Sequence, residues 1–520
     1  MIKQIYNRYK NIFLSAIFVA YILYSSIVNF DLWNPDSLNR SIYIKDLVWV
    51  NQMRWANQLW ETYIRSYYIL PELTLFINCV LIAAIVVLIL DMFNIERYST
   101  QILVMICLVG SVHQVSNMTY AYCGDEFVIA YFLAVLGAWF LSQLWEHDNK
   151  NIVILYACIC FVISLAMYQA YYSISIMLIA LKFIFILMDK VEIKVCIKKV
   201  FWQLVILIGS IGAYMASVYI SLWAYNTNLS SYRGMDKIGF GIERFINSIK
   251  DAYMYIYYYF FTDYLFSNSF RYRKELHIII LSIYIVILMV LIVQYKNNLN
   301  ITKITLMVVT ICVFPIAFDF VHILTDSGVS FMMLPVIPYF YVIGILLIDK
   351  TIERRGFYIW GKICQIPMLL AAWTSVLIVL ITISELKLDI SKIKSVANNL
   401  DYVIKSEENY TLDTPVLVVG NYLKGSYPDV YDYAFNAILG GTVHDFGQLW
   451  QGEGMGLATF NNWNHIFMRY CGSQYNWCTE EEYNYIISST EFGEMDVFPK
   501  SGSIQYIEDV LVIKLSTELY

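Results

Sequence analysis

Apolar residues in this chain gather into long unbroken runs, and that one property excludes most folds. A helix crosses a bilayer with about 20 mostly apolar residues, so each such run is a candidate span. Runs of that kind lie near 11–29, 70–92, 101–117, 127–145, 151–169, 171–188, 201–224, 276–294, 304–323, 330–349 and 361–383. They predict a polytopic α-helical membrane protein with about eleven transmembrane helices. A membrane barrel would show short alternating segments instead. Composition points the same way: the 520 residues are 59% hydrophobic and 15% charged, whereas soluble domains run near half apolar and a quarter charged. The net charge of −6 comes with no basic stripe, so no nucleic-acid partner is expected; membrane lipid is.

The first run, Ile12 to Val28, follows Lys3, Arg8 and Lys10 but no small-residue cleavage site follows it, so it reads as a retained span. Most of the ten cysteines sit in apolar runs, where a thiol is usually a small hydrophobe. Cys471 and Cys478 are the exception, and a disulfide between them is left open.

Orientation follows from lysine and arginine. The N-terminus and the loops at 189–199, 295–303 and 349–362 are basic, and the span order puts all four on one side. That side is expected to be cytoplasmic, and an odd number of spans puts the C-terminus outside. The loop 225–274, also basic, then falls outside; its aromatic run Ala252 to Phe266 reads as interfacial or re-entrant. From Ser384 the character changes. Leu386 to Lys405 has helical spacing, while Thr414 to Gly420 and Asp509 to Leu515 read as buried strands. The expected division is a transmembrane domain, 1–383, and a small extracytoplasmic α/β domain, 384–520.

Three polar clusters fall on the outer side in this topology. One is the loop after the first span, with Asp31, Trp33, Asp36, Asn39, Arg40, Asp46, Arg54, Trp55 and Trp60. The second is Asn117 to Glu126, and the third Tyr168 to Tyr171. Solvated loop residues, or an interfacial aromatic belt for the tryptophans, would account for each alone. Together they also suit a site: a carboxylate can take a proton from an attacking hydroxyl. Arginine can hold a phosphate by paired hydrogen bonds, and aromatic rings can stack on a sugar. Asp319 and His322, three apart in one span, read as a structural couple, a reach into the site, or a proton relay. His444, Asp445 and His465 lack metal-ligand spacing.

The chain resembles the glucosyltransferase-II type family of polytopic bacterial membrane glycosyltransferases, related to serotype-converting O-antigen glucosyltransferases and GT-C-like in architecture. Asp36-Ser-Leu-Asn-Arg40 is similar to that family's acidic first-loop motif, and Arg54-Trp55 to the pair that follows. Tyr120-Ala-Tyr122-Cys-Gly-Asp125 and Leu165-Ala-Met-Tyr168-Gln169-Ala170 resemble its aromatic–aspartate and tyrosine–glutamine elements. Tyr232-Arg-Gly234-Met-Asp236 and Phe498-Pro499-Lys-Ser-Gly502-Ser-Ile504 resemble later segments.

The resemblance implies transfer of a hexose, with glucose expected, from a polyprenyl-phosphate (undecaprenyl-phosphate) donor to a cell-surface glycan, with inversion, on the outer face of a bacterial cell membrane. By it Asp36 is the catalytic base with Asp125 second in line, Arg40 and Arg54 hold the donor phosphate, and Trp55, Tyr120, Tyr122, Tyr168 and Gln169 line the sugar pocket. It implies partner proteins that make and flip the donor. No cofactor is required by it, and a divalent cation is left open. The family often has two adjacent first-loop acids, whereas Pro35 precedes Asp36 here; Asp31 or Asp125 then supplies the second, or a metal role is absent. A lipid-linked glycan flippase or transporter, or a glycan polymerase, are the alternatives.

Overall fold

In the lipid-facing part of the chain every backbone N–H and C=O must be satisfied within its own segment, and helices do this. The computed structural model describes residues 2–34, 37, 48–144, 150–230, 242–261, 273–318, 320, 335–352, 358–420 and 456–515. Among them, nine helices are long and apolar enough to cross a membrane. They comprise α1 (Ile2–Asn29), α4 (Pro71–Met92), α5 (Tyr98–Val109) continued by α6 (Val112–Thr119), and α7 (Gly124–Gln143). The others are α9 (Tyr172–Met188), α10 (Ile193–Ala224), α12 (Arg273–Gln294), α13 (Ile301–Phe318) and α15 (Tyr358–Ser406). Two shorter apolar helices, α8 (Lys150–Met167) and α14 (Ile337–Ile352), stand where the sequence predicts its fifth and tenth spans. Two pieces in the first loop, α2 (Val48–Asn51) and α3 (Trp55–Trp60), and the aromatic helix α11 (Ile242–Phe261) complete the set up to α15.

Side-chain bonds sort the helix ends into two groups. At one end Tyr9 bonds Leu90 O, Trp139 bonds Asp91, and Lys182 bonds Met92 O. Asn298 and Lys303 bond the carbonyls of Met188 and Asp189, and Arg97 pairs with Asp349 at 2.9 Å. The described parts of the basic N-terminus and of the three short basic loops thus share one end of the bundle, as the span order implies. At the other end Asn34 N bonds Thr119 O, Trp55 bonds Ser217, and Thr227 bonds Asn51. Close helix contact needs small residues there: a Cβ on Gly124 would lie 2.5 Å from Asn117 O, so this glycine lets the α6–α7 corner fold tightly.

The expected boundary at Ser384 is not a break. Helix α15 runs for 49 residues straight through it, since the segment Glu385 to Lys394 offers no glycine or proline to stop it. After it come β1 (Pro415–Val419), α16 (Gly456–Tyr470), β2 (Asn476–Trp477), α17 (Glu480–Ile487), α18 (Thr490–Glu494), β3 (Ile504–Ile507) and β4 (Val510–Lys514). The sheet order is β2-β1-β4-β3, with β1 parallel to both neighbours and β3 antiparallel to β4. Strand alternation sends Leu417, Val419 and Val512 into a small core with Phe492, while Val416, Val418 and Leu511 face Trp463 and Phe467. Both expected strands are therefore buried on two faces, as a continuous apolar run requires. Cys471 and Cys478 are free. Cys478 lies in the small core and Cys471 beside Asn398, so the open disulfide is not formed.

Candidate functional site

The helix end that carries the first loop is lined by polar side chains withdrawn from solvent. Helix α3 passes into a single π-helical turn, Glu61–Arg65, closed by Ser66 and Tyr67 in the left-handed conformation. Such turns are uncommon and recur at functional sites. This geometry aims Arg65, only 3% exposed, at the first turn of α7. Its Nη1 donates to Asp125 Oδ1 at 2.9 Å and lies 3.7 Å from Glu126 Oε1, while Nη2 lies 3.7 Å from Glu61. Trp60 Nε1 donates to the other Asp125 oxygen at 2.7 Å. Both acids sit at a helix N-terminus, where the peptide dipoles favour negative charge. Burial lowers the proton affinity of Arg65, but the three carboxylates, Asp125 foremost, outweigh it and hold the guanidinium firmly protonated.

Above this ion cluster Arg54 lies between two rings, 4.7 Å from the Tyr168 centroid and 5.7 Å from that of Trp49. Trp49 stacks on Tyr122 at 6.1 Å, Tyr122 meets Tyr120 edge-on, and Phe127 joins Tyr120 to Tyr168. Of the expected sugar-pocket residues, Tyr168 lies against the expected phosphate ligand Arg54, while Tyr120 and Tyr122 join the same run of rings through Phe127 and Trp49. The other two serve as anchors. Trp55 bonds Ser217 of α10 at 2.9 Å, and Gln169 bonds Tyr214, whose hydroxyl donates to Met53 O. The tryptophans do not form an outward belt: Trp33 and Trp49 are buried, and Trp55 and Trp60 are half-buried with their N–H groups bonded inward.

The first loop is fastened to this corner on both flanks of Pro35 and Asp36. Asn34 N and Ser37 Oγ both donate to Thr119 O, and Ala121 N donates to Ser37 Oγ at 3.1 Å. Asp36, Arg40, Asn39 and Asp46 lie outside the described residues, as do Asp319, His322, His444, Asp445 and the 232–236 motif. Asp31 turns to the C-terminal part, within 3.8 Å of Lys394 and 3.9 Å of Arg469, whose guanidinium covers Trp33.

Several residues here were not anticipated. Asn57 and Gln58 are fully buried, and no polar atom of either side chain has a protein partner. Neither Glu126 oxygen accepts a hydrogen bond, although Arg65, Glu61 and Arg54 are all close enough to act on its charge. Below, Asn117 Nδ2 donates to Tyr171 OH at 2.7 Å, and His113 meets the same hydroxyl at 2.9 Å. The signals are present in the sequence: Asn57, Glu61 and Arg65 recur at four-residue steps, as do His113 and Asn117, each pattern marking one helix face. Buried amides without partners, and a carboxylate with an ion pair but no hydrogen bond, carry a desolvation cost, which a polar substrate would relieve. No three His, Cys, Asp or Glu side chains come together as a metal site among the described residues; Arg65 bridges Asp125 and Glu126 instead.

The family described as Glucosyl transferase GtrII matches residues 10–348, which include every part of this site. No curated protein and no solved structure matches the chain. The chain belongs to the GtrII glucosyl transferase family.

Proposed function

We propose that this member of the GtrII family moves glucose from a polyprenyl-phosphate donor to a hydroxyl of a cell-surface glycan, on the extracytoplasmic face of a bacterial cell membrane. The observation that carries the reading is that Arg54, braced by Trp49 and Tyr168, lies close in the chain to buried Asn57 and Gln58, whose amides have no partner, and acts on Glu126, whose carboxylate accepts no hydrogen bond. A phosphate beside the guanidinium and sugar hydroxyls beside Asn57 and Gln58 would satisfy these groups. The aromatic walls suit the apolar faces of a hexose. The membrane setting supports a lipid-borne donor, and the shared basic end of the bundle supports a cytoplasmic N-terminus. With α8 and α14 counted as spans the crossings number about eleven, which leaves the C-terminal sheet outside the cell, where it forms a roof for the acceptor.

In the reaction the acceptor oxygen attacks the anomeric carbon as the bond from that carbon to the phosphate oxygen breaks. The configuration inverts, and the phosphate leaves carrying the bonding electron pair. Asp36 takes the acceptor proton in the role its motif implies. Asp125 has donors on both oxygens, so its part is to hold Arg65 and Trp60 in place. Glu126, with no bonded donor, is the better second carboxylate. Arg54 holds the phosphate, joined by Arg40, fourteen residues earlier, in the role its motif implies.

The test is transfer of radiolabelled glucose from polyprenyl-phosphate glucose by membranes containing the full chain. Asp36→Asn and Glu126→Gln are each expected to lower transfer by about 10²-fold or more, the scale of a lost acid–base group, at unchanged expression. Transfer by Asp36→Asn at the unsubstituted rate would move the base elsewhere. No transfer by the unsubstituted protein from any polyprenyl donor would overturn the reading.

A further inference from the structure

Helix α6 closes a candidate membrane span, Tyr98–Thr119, yet carries His113, Gln114, Ser116, Asn117 and Thr119, all of them buried. An ionisable side chain within a span is expensive and points to a function. None of the roles in transfer falls to His113.

The bonds of His113 close a triangle. Asn117 Nδ2 donates to Tyr171 OH at 2.7 Å and lies 3.2 Å from His113 Nε2, and that nitrogen is 2.9 Å from the Tyr171 hydroxyl. One amide hydrogen of Asn117 thus goes to the phenol and leaves the other for the imidazole. His113 and Asn117 stand four apart on α6, but Tyr171 belongs to the turn between α8 and α9, so the triangle ties two elements together. All three residues are at most 1% exposed, and a satisfied polar network out of reach of water specifies one arrangement. Tyr131 stacks on Tyr171 at 5.3 Å and keeps its ring from turning.

Each of the two elements carries one half of the site. Two residues past Asn117, Thr119 O accepts from Asn34 N and Ser37 Oγ, on either side of Pro35 and Asp36. The backbone carbonyl of Asn117 lies against Gly124, where α7 begins with Asp125 and Glu126. Three residues before Tyr171, the Tyr168 ring rests on Arg54 at 4.7 Å, and the two tyrosine rings meet at 5.6 Å. The acids are thus held from α6, and the phosphate ligand leans on the turn before α9. The triangle bonds these two supports to each other.

We infer that His113 is a positioning residue for transfer: through Tyr171 and Asn117 it fixes the spacing between the carboxylates and Arg54. This rests on the roles given above to Asp36, Glu126 and Arg54. An apolar side chain at 113 would fill the same space but leave the supports free to shift, and a misplacement of about 1 Å at a reacting centre can cost roughly 10²-fold in rate.

The test compares His113→Gln, His113→Asn and Tyr171→Phe in the full chain, in nanodiscs with polyprenyl-phosphate glucose. Glutamine puts an amide oxygen where Nε2 stands; asparagine, one bond shorter, does not reach that far. His113→Asn and Tyr171→Phe are each expected to lower kcat about tenfold, the factor of one ordinary hydrogen bond, with the donor KM within about twofold. His113→Gln is expected to keep kcat within about threefold. A raised KM at unchanged kcat, or a glutamine variant as slow as the asparagine one, overturns the inference. If His113→Asn fails to fold, Tyr171→Phe decides by the same split.

Hydrogen exchange supplies a readout that needs no transfer. In Tyr171→Phe and His113→Asn the amides of Asn34 and Ser37 and those of Tyr168 and Tyr171 should exchange about tenfold faster together, and in His113→Gln at the unsubstituted rate. Faster exchange on one side only, or on neither, overturns the inference. An absence of transfer by the unsubstituted protein counts against the donor alone.

Discussion

Replacing Arg65 with methionine keeps most of the side-chain volume and removes the one cation that touches Asp125, Glu126 and Glu61 together. Side-chain exposures of 3% for Arg65 and 0% for both α7 acids mean that water cannot take its place. Asp125 keeps the Trp60 bond at 2.7 Å, but its other oxygen loses its donor. Breaking a buried pair by removing one partner costs about 3–5 kcal/mol, and the α7 acids should put Arg65→Met in that range. The companion Asp125→Asn removes one stranded charge. The double variant is therefore expected to recover roughly 1–3 kcal/mol relative to the sum of the two single losses, with Glu126 accounting for what is not recovered. Melting in nanodiscs, followed by tryptophan fluorescence and repeated for all four members of the cycle, measures this. A loss below about 1 kcal/mol for Arg65→Met, as in an exposed pair, together with no coupling, would refute the buried-cluster argument.

Arg54→Lys keeps the charge but loses the planar group held between Trp49 and Tyr168; with charged hydrogen bonds worth about 1.5–3 kcal/mol, kcat/KM for glucosyl transfer should fall roughly 10- to 150-fold. An unchanged value would remove Arg54 from phosphate binding. Burial pushes the Cys471 and Cys478 thiols up to about 11 and about 12, so neither should react with maleimide near pH 7.5 in the folded protein. A mobility shift between reduced and non-reduced samples would contradict their free state. Burial holds the His465 imidazole below its ordinary 6.5. The unfolded chain thus binds a proton that the folded one refuses, so stability is full above pH 6.5 and falls as pH drops below it. Limited proteolysis of the C-terminal part against pH should show this slope, and His465→Gln should flatten it.

The helical membrane character was legible because a bilayer demands long apolar runs and little else produces them. The strands at Pro415–Val419 and Val510–Lys514 were legible for a similar reason, since burial on both faces leaves an unbroken apolar stretch. Within the site Arg54, Tyr120, Tyr122 and Tyr168, candidates by residue type alone, lie in one connected set of rings. What was not readable was partnership. Nothing in local spacing says that Arg65 spends its charge on Asp125 across 60 residues, or that Trp55 and Gln169 fasten neighbouring elements. Those assignments depend on how the first loop folds back over the α6–α7 corner, a long-range packing result. The helix over Leu386 to Lys405 was legible from its spacing, but that it continues the preceding membrane helix was not, because the change in composition at Ser384 leaves the backbone uninterrupted.

That helix, unbroken at Ser384 although it carries Pro367 near its start, has a mechanical consequence. At 49 residues α15 is about 74 Å long at roughly 1.5 Å per residue, more than twice a hydrocarbon core of about 30 Å. Its far portion is pinned by Lys387 to Ser26 and by Lys394 to Asp31, and it ends just before the first strand of the sheet. A rod clamped in a bilayer leans when the bilayer thins and straightens when it thickens. A lean of about 10° sweeps the tip of a roughly 40 Å projection sideways by about 7 Å, more than one helical turn. Because Lys387 and Lys394 tie that projection to Ser26 and Asp31 at the head of the first loop, a change in membrane thickness would load those two contacts before it moved the sheet.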